Sequence, residues 1–151
     1  MALTSAYESR KRITQQKKGK LKVDSQARIL SIEDDPEMSS LIQLIFERTG
    51  HRVIGVRRGE LGLEFLKSLK PDVLLLDLML PDIDGWELYR QMKADSELSK
   101  VPVIIVSARN EKRDAAKGHR VVGNDRFVQK PFEVKELIQV VREALENRPA
   151  D

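Results

Sequence analysis

Cysteine is absent from this chain of 151 residues, so no disulfide bond can contribute to its stability. The absence is consistent with the reducing cytoplasm, where we expect the protein to reside. Long apolar runs are also missing: none approaches the ~18 residues of a membrane-spanning helix, so we expect no transmembrane segment. The N-terminus lacks the continuous apolar segment of a secretory signal. At this length we expect one domain with a core large enough to be stable without a structural metal.

Acidic residues are scarce at the N-terminus, and aromatic residues make up 5% of the chain. Residues 1–28 contain eight Lys or Arg but two Asp or Glu, a net charge of +6, whereas the remainder carries −3. We therefore expect residues 1–26 to be a basic, flexible extension, 27–148 to be the folded domain and 149–151 to be a tail. The extension could attach the domain to nucleic acid or an acidic surface, but a solubilising tail is the favoured interpretation.

Apolar runs of strand length alternate with segments of helical periodicity from Arg28 onward. The predicted strands are 28–32, 52–56, 73–76, 101–106 and 127–129. The predicted helices are 36–49, 59–69, 86–94, 110–117 and 133–147. Five such units imply an α/β fold with a doubly wound parallel sheet, right-handed crossovers and helices on both faces. This pattern alone does not fix the order of the strands.

The apolar residues of the helical segments predict which side of each helix is buried. For the first helix they are Met38, Leu41, Ile42, Ile45 and Phe46; for the second, Leu61, Leu63, Phe65, Leu66 and Leu69; for the last, Val134, Leu137, Ile138, Val141, Ala144 and Leu145. Segments 73–76 and 101–106 are apolar throughout, as expected for central strands covered on both faces.

Polar side chains stand where the apolar strands end. Glu33 and Asp34 follow the first strand, Asp77 the third, Ser107 the fourth and Lys130 the fifth. In a parallel α/β sheet, ligands bind in the crevice outside the carboxyl ends of the strands. The sequence therefore predicts one pocket for phosphate and metal, built from distant segments.

Each of these residue types suits such a pocket. Like charges ~4 Å apart repel by roughly 4 kcal/mol at an effective dielectric of ~20. Mg²⁺ prefers one or two carboxylates with water and phosphate oxygens and would relieve that repulsion. The alternative for Glu33 and Asp34 is a solvated acidic loop in which Asp35 caps the following helix. Asp77 follows four apolar residues and could be a nucleophile toward phosphorus or the partner of Lys130 in a buried ion pair. Ser107 and Lys130 could bind phosphoryl oxygens; singly, they read as a strand-end residue and a surface lysine.

The stretches ILSIEDDP, PDVLLLDLMLPDIDGWEL, VPVIIVSAR and FVQKPF resemble, in this order and at fitting intervals, the receiver domain of two-component response regulators. The likeness covers roughly residues 28–147 and implies the strand order 2-1-3-4-5. It implies Glu33, Asp34, Asp77 and the backbone carbonyl of Met79 as Mg²⁺ ligands, Asp77 as phosphoacceptor, Ser107 and Lys130 as catalytic partners, and Ser107 and Phe127 as switch residues. For Phe127, simple packing is the alternative.

The resemblance also implies a mechanism and partners. A histidine kinase or a phosphotransfer protein would supply the phosphoryl group, and the domain would lose it slowly to water without being an enzyme in the usual sense. The added charge of about −1.5 to −2 would remodel the face of the fourth helix, fifth strand and fifth helix and so control an unknown partner. If Met1 is the native start, we expect a single-domain receiver, and otherwise a fragment of a larger regulator.

Two features of the chain depart from the family pattern. Ser107 and Lys130 are 23 residues apart, one more than is commonest, and GHRVVGNDRF replaces the usual approach to the fifth strand. The alternative from a different class of function is a Mg²⁺-dependent phosphohydrolase or toprim-like nuclease using Glu33 with Asp82 and Asp84. Aspartate is common in such turns for backbone reasons, and this alternative leaves Ser107 and Lys130 unexplained.

Overall fold

Five parallel strands form the central sheet of the protein in a computed structural model that describes residues 26–148. The strands are β1 (Arg28–Ile32), β2 (Arg52–Val56), β3 (Val73–Leu76), β4 (Val103–Ser107) and β5 (Arg126–Gln129). Their order is β2-β1-β3-β4-β5, and every neighbouring pair is parallel. The predicted doubly wound sheet and the order implied by the resemblance are both confirmed. The predicted basic extension, apart from Gln26, and the predicted tail lie outside the described residues.

Helices connect the strands on both faces of the sheet, as predicted. They are α1 (Pro36–Arg48), α2 (Gly59–Leu69), α3 (Gly85–Ala94), α4 (Glu111–Ala116) and α5 (Val134–Glu146), with a 3₁₀ turn at Leu98–Lys100. Asp35 caps α1 by accepting from the Glu37 N–H at 3.0 Å, with Pro36 at the first helical position. Within the described part of the chain, no helix has the length and hydropathy to cross a membrane.

The start of β4 differs from its prediction. The apolar run at 101–106 predicts a strand from Val101, whereas β4 begins at Val103 and ends at Ser107. Val101 instead closes the 3₁₀ turn by donating to the Leu98 carbonyl at 3.0 Å. Pro102 has no N–H to give to a ladder, so the two residues lead into the strand rather than forming it.

Two hydrophobic layers enclose the sheet, one on each face. Alternate residues of a strand point to opposite faces, so Leu30 packs with α2 and α3 while Ile29 packs with α1 and α5. All four residues of β3 are buried, as expected for a central strand. Because helices cover both faces of the sheet, a functional side chain can reach solvent at the ends of the strands.

The predicted buried side of α2 is confirmed for Leu66, which is buried, and for Leu63 and Phe65, which pack against the core. The prediction is wrong for Leu61. Leu61 is 41% exposed, whereas Gly59 and Gly62 are buried. A Cβ at Gly62 would lie 2.3 Å from Ile32 Cδ1, so the glycine lets α2 approach β1 closely. A count of apolar residues does not detect a face built on glycine. Leu41 and Val134, which were also predicted on the buried sides of α1 and α5, are 38% and 44% exposed.

Candidate functional site

Backbone hydrogen bonds align the strand ends that carry the predicted site. The Glu33 N–H donates to the Val56 carbonyl at 3.0 Å, and the Asp77 N–H donates to the Ile32 carbonyl at 2.9 Å. On the other side, the Lys130 N–H donates to the Ser107 carbonyl at 2.8 Å. These bonds extend the ladders by one residue beyond the strands. They place four side chains from distant segments along the carboxyl edge of one sheet.

The ammonium group of Lys130 joins two of the carboxylates. Its Nζ lies 2.7 Å from Glu33 Oε1 and 3.4 Å from Asp77 Oδ2. The side chains are largely buried, with exposed fractions of 17% for Lys130, 3% for Glu33 and 7% for Asp77. The structure therefore brings Glu33, Asp77 and Lys130 together, and the closer partner of the lysine is Glu33 rather than Asp77.

One ammonium group has to serve two buried carboxylates. Burial and the charge of Asp77 together outweigh the hydrogen bond from Lys130 and raise the pKa of Glu33 to about 7. Burial alone would lower the pKa of Lys130, but the hydrogen bond to Glu33 and the charge of Asp77 outweigh it, so this pKa is raised. Both carboxylates stabilise the charged form of the lysine, whereas the single ammonium group neutralises one of the two carboxylate charges. A further positive charge would therefore stabilise the cluster.

The oxygen atoms at this edge fit a hard divalent cation. Within residues 26–148, no three or more Asp, Glu, His or Cys side chains come close enough to hold a metal ion by themselves. Mg²⁺ does not require such a group, because it takes one or two carboxylates and keeps several waters. Glu33 and Asp77 supply the two buried carboxylates. Asp34 is exposed beside them, and its backbone carbonyl accepts a hydrogen bond from Arg57 Nε at 3.2 Å.

Met79 lies next to Asp77 in the loop that leads to α3. Its N–H donates to Asp77 Oδ1 at 3.2 Å, and its side chain is exposed. This bond orients the carboxylate from the side opposite to Lys130. The carbonyl of Met79 is the backbone oxygen that the family resemblance assigns to the metal.

Ser107 and Phe127 occupy neighbouring strands. Ser107 is fully buried at the end of β4, and its Oγ accepts a hydrogen bond from the Arg109 N–H at 3.4 Å. Phe127 is partly buried and packs against the core on the α3 side of β5, with its ring centroid 6.2 Å from that of Trp86. The packing role proposed as an alternative for Phe127 is present.

Trp86 connects α3 to α4 and to the segment that follows α4. Its indole Nε1–H donates to Asp114 Oδ2 at 2.7 Å, and the His119 ring stacks on it at a centroid distance of 5.9 Å. Arg109 lies nearby, 3.1 Å from Asp84 Oδ2 and 3.9 Å from Asp114 Oδ2. These contacts tie the short α4 to the start of α3.

Asp82 and Asp84, the residues of the nuclease alternative, are both engaged at helix N-termini. Asp82 accepts hydrogen bonds from the N–H groups of Gly59 and Glu60 at the start of α2. Asp84 caps α3 by accepting from the Trp86 N–H at 2.8 Å. Capping accounts for both aspartates, so the structure gives no support to their pairing with Glu33 as a catalytic metal site.

A buried acid at the opposite edge of the sheet was missed by the sequence analysis. Asp125 is 8% exposed and accepts hydrogen bonds from the Val103 N–H at 2.8 Å and the Tyr89 hydroxyl at 2.7 Å. Lys93 Nζ lies 2.7 Å from its Oδ2. Burial, with the hydrogen bond to Asp125, raises the pKa of Tyr89. Asp125 sits in a polar loop with no periodicity, so no sequence signal marked it.

A model of one protein family matches most of the chain. The family is described as the response regulator receiver domain, and the match covers residues 29–142. Protein PilH of Pseudomonas aeruginosa is 32% identical over 119 residues, which is 79% of this chain and 98% of PilH. The DNA-binding response regulator MtrA of Mycolicibacterium smegmatis is 35% identical over 127 residues, 82% of this chain and 54% of MtrA. The chain thus spans about half the length of MtrA, as it does for several other curated relatives.

Solved structures of similar fold match over a comparable extent. The signal receiver domain of a histidine kinase from Syntrophus aciditrophicus has a TM-score of 0.74 and 29% identity, covering 83% of this chain and 96% of that one. The receiver domain of a sensor histidine kinase from Pseudomonas aeruginosa has a TM-score of 0.72 and 25% identity, covering 81% and 99%. That crystal structure has a magnesium ion coordinated in its active-site cleft.

Proposed function

Because the chain belongs to the response regulator receiver domain family, we propose that it accepts a phosphoryl group on Asp77 and acts as a switch in a phosphorelay. A receiver of this kind is a signalling domain and not a classical enzyme. The observation that carries the proposal is the placement of Asp77: a 7%-exposed carboxylate at the end of β3, 3.4 Å from Lys130 Nζ and beside Glu33. The alternative of a buried ion pair between Asp77 and Lys130 matches this contact, but the lysine lies closer to Glu33, at 2.7 Å, so the pair alone does not account for Asp77.

The phosphoryl donor is a phosphohistidine of a histidine kinase or a phosphotransfer protein. A carboxylate oxygen of Asp77 attacks phosphorus, the P–N bond breaks as the P–O bond forms, and the histidine ring leaves with the electron pair. Lys130 stabilises the charge on a transferring phosphoryl oxygen, and electrostatic stabilisation of this kind is usually the largest contribution to catalysis. Ser107 donates its hydroxyl hydrogen to a second oxygen.

Mg²⁺ is the cofactor that the donor set fits. Glu33, Asp34, Asp77 and the carbonyl of Met79 would hold it, and when bound it supplies positive charge between the carboxylates and the phosphoryl oxygens. The magnesium-bound receiver domain of the Pseudomonas aeruginosa kinase supports this assignment. Lys130 would then be released in part from Glu33 and become available to the phosphoryl group.

The switch follows from the added charge. Phosphorylation adds a charge of about −1.5 to −2 at the carboxyl ends of the strands. The Ser107 hydroxyl is drawn toward that charge. β4 pairs directly with β5, so movement at Ser107 reaches Phe127 and the face formed by α4, β5 and α5. This face controls a downstream protein that the chain does not identify. Cytoplasmic location and the secondary possibility that residues 1–28 bind nucleic acid or an acidic surface stay predictions.

Acetyl phosphate labelling tests the proposal. Wild-type protein with Mg²⁺ and acetyl phosphate should gain one phosphoryl adduct by intact mass spectrometry, and Asp77→Asn should gain none. Asp72→Asn is the matched control, because Asp72 precedes the amino end of β3. Its Oδ2 accepts a hydrogen bond from the Arg28 N–H at 2.7 Å. It should label like wild type.

Two results would refute the assignment. One is equal labelling of wild type and Asp77→Asn; the other is absence of any adduct on the wild type under conditions where the fold is intact. Multiple turnover of a phosphate ester by the wild type would favour the phosphohydrolase alternative instead.

A further inference from the structure

The loop of residues 78–84 joins the proposed phosphoacceptor to α3 and is anchored by Asp82. Asp82 Oδ1 accepts from the Gly59 N–H at 2.8 Å, and Oδ2 accepts from the Glu60 N–H at 2.9 Å. Arg58 Nε lies 4.0 Å from Oδ2, and the Asp82 side chain is 8% exposed. One side chain from this loop therefore caps the first turn of a different helix, α2.

Close packing holds the loop against the same two helices. A Cβ at Gly59 would lie 2.1 Å from Ile83 Cγ2, so α2 has no room for a side chain there. At the other end, a Cβ at Gly85 would lie 2.7 Å from the Asp77 carbonyl oxygen. The loop fills the space between α2 and α3, and its position depends on both contacts.

The surroundings of Asp82 favour its ionised form. Burial would raise the pKa of Asp82, but the hydrogen bonds from the Glu60 and Gly59 N–H groups outweigh it and lower the pKa. The partial positive charge of a helix N-terminus adds to this preference for the ionised form. The anchor is therefore charged under ordinary conditions.

We propose that Asp82 is a positioning residue for the cation and phosphoryl site, which fixes the loop carrying Met79 by tying it to the start of α2. The inference rests on the proposed function. Met79 is three residues before Asp82, and its N–H donates to Asp77 Oδ1. Its carbonyl is the backbone oxygen that would bind Mg²⁺ in the proposed site. Mg²⁺ demands near-ideal octahedral geometry, so a small displacement of that carbonyl weakens binding.

The chain offers a matched control in Asp95, at the other end of α3. Its Oδ1 accepts from the Glu97 N–H at 2.8 Å and the Leu98 N–H at 3.0 Å. It is thus also a carboxylate that holds two backbone N–H groups. Loss of Asp95 removes the same kind of interaction away from the loop.

The experiment compares wild type, Asp82→Ala, Asp82→Asn and Asp95→Ala. Mg²⁺ affinity is measured by an NMR shift titration, and amide hydrogen exchange of the 78–84 loop is measured without Mg²⁺. Loss of a supporting hydrogen bond around a metal site typically costs 10–100-fold in affinity. We expect about that loss for Asp82→Ala, a smaller loss for Asp82→Asn, and faster exchange of the loop in both. Asp95→Ala should leave Mg²⁺ affinity and loop exchange as in wild type.

The proposal is overturned if Asp82→Ala binds Mg²⁺ like wild type, if Asp95→Ala loses as much affinity, or if wild type binds no Mg²⁺. Acetyl phosphate labelling of the wild type separates this from failure of the proposed function. If wild type is labelled at Asp77 and Asp82→Ala retains full Mg²⁺ affinity, the anchor is wrong and the function stands. If wild type is not labelled, the function is wrong.

Discussion

Replacing Asp125 by asparagine should destabilise the fold strongly while leaving the phosphoryl site intact. Both carboxylate oxygens accept: Oδ1 takes the Val103 N–H, and Oδ2 takes the Tyr89 hydroxyl and the Lys93 ammonium. An asparagine in either orientation turns its NH₂ group toward a donor. At least one hydrogen bond is lost, and a buried donor is left without a partner.

The magnitude follows from the burial of these groups. A hydrogen bond to a charged group contributes about 1.5–3 kcal/mol, and an unsatisfied buried donor costs about 1–3 kcal/mol. Lys93 is 19% exposed, so water recovers part of its loss. We expect Asp125→Asn to lower the free energy of unfolding by about 3 kcal/mol, a large fraction of the roughly 5–15 kcal/mol of a typical domain.

Urea unfolding followed by far-ultraviolet circular dichroism measures the effect. Glu143→Gln is the control: Glu143 pairs with Arg126 at 3.1 Å, but the two side chains are 41% and 52% exposed. An exposed pair contributes at most about 1 kcal/mol. In the Asp125→Asn background, Lys93→Met should cost less than it does in wild type, because the charged partner of the ammonium is already gone. The hydrogen bonds from Lys93 Nζ to the Ser99 and Val101 carbonyls, at 3.2 Å and 3.4 Å, account for the cost that remains.

Equal free energies of unfolding for Asp125→Asn and Glu143→Gln would contradict this prediction. So would a folded Asp125→Asn variant that no longer takes a phosphoryl group on Asp77. The Asp125 network lies at the amino edge of the sheet and the proposed site at the carboxyl edge, so the two losses should be separable.

Two further predictions concern the single side chains of Ser31 in β1 and His51 next to β2. Ser31 is 1% exposed, and its Oγ has no hydrogen-bond partner among the described residues. Ser31→Ala should therefore keep the free energy of unfolding or raise it by up to about 1–2 kcal/mol. A clear drop in the urea midpoint would contradict this. Burial lowers the pKa of His51 below 6.5 against the charge of Asp72, so the unfolded chain binds the proton more readily. Its contribution to stability is complete above pH 6.5 and declines at lower pH. His51→Gln should flatten the decline that begins as the pH falls below 6.5, which urea unfolding at several pH values will check.

Much of the fold could be predicted because local patterns carry it. Each strand is a short apolar run with a polar residue at its end, and each long helix repeats apolar residues at helical spacing. The order of the strands came from the family resemblance, since the alternation of strands and helices is compatible with several orders. The errors fell where packing uses residues that such patterns ignore, as Gly62 does on α2.

The candidate site was predictable for a related reason. Glu33, Asp77, Ser107 and Lys130 each interrupt or end an apolar run, and parallel strands deliver such residues to one edge. Asp82 and Asp125 gave no comparable signal, because each acts across the fold on backbone groups of another segment. An acid in a turn looks the same in sequence whether it caps a distant helix or faces solvent.

The position of Trp86 gives the molecule a built-in optical label. It is the only tryptophan of the chain, and it contacts α4 through Asp114 and the segment after α4 through His119. An indole that exchanges a carboxylate partner and a stacked imidazole for water changes its emission. Rearrangement of α4 and of the segment that follows it can therefore be timed in a stopped-flow instrument on unmodified protein, with no dye attached.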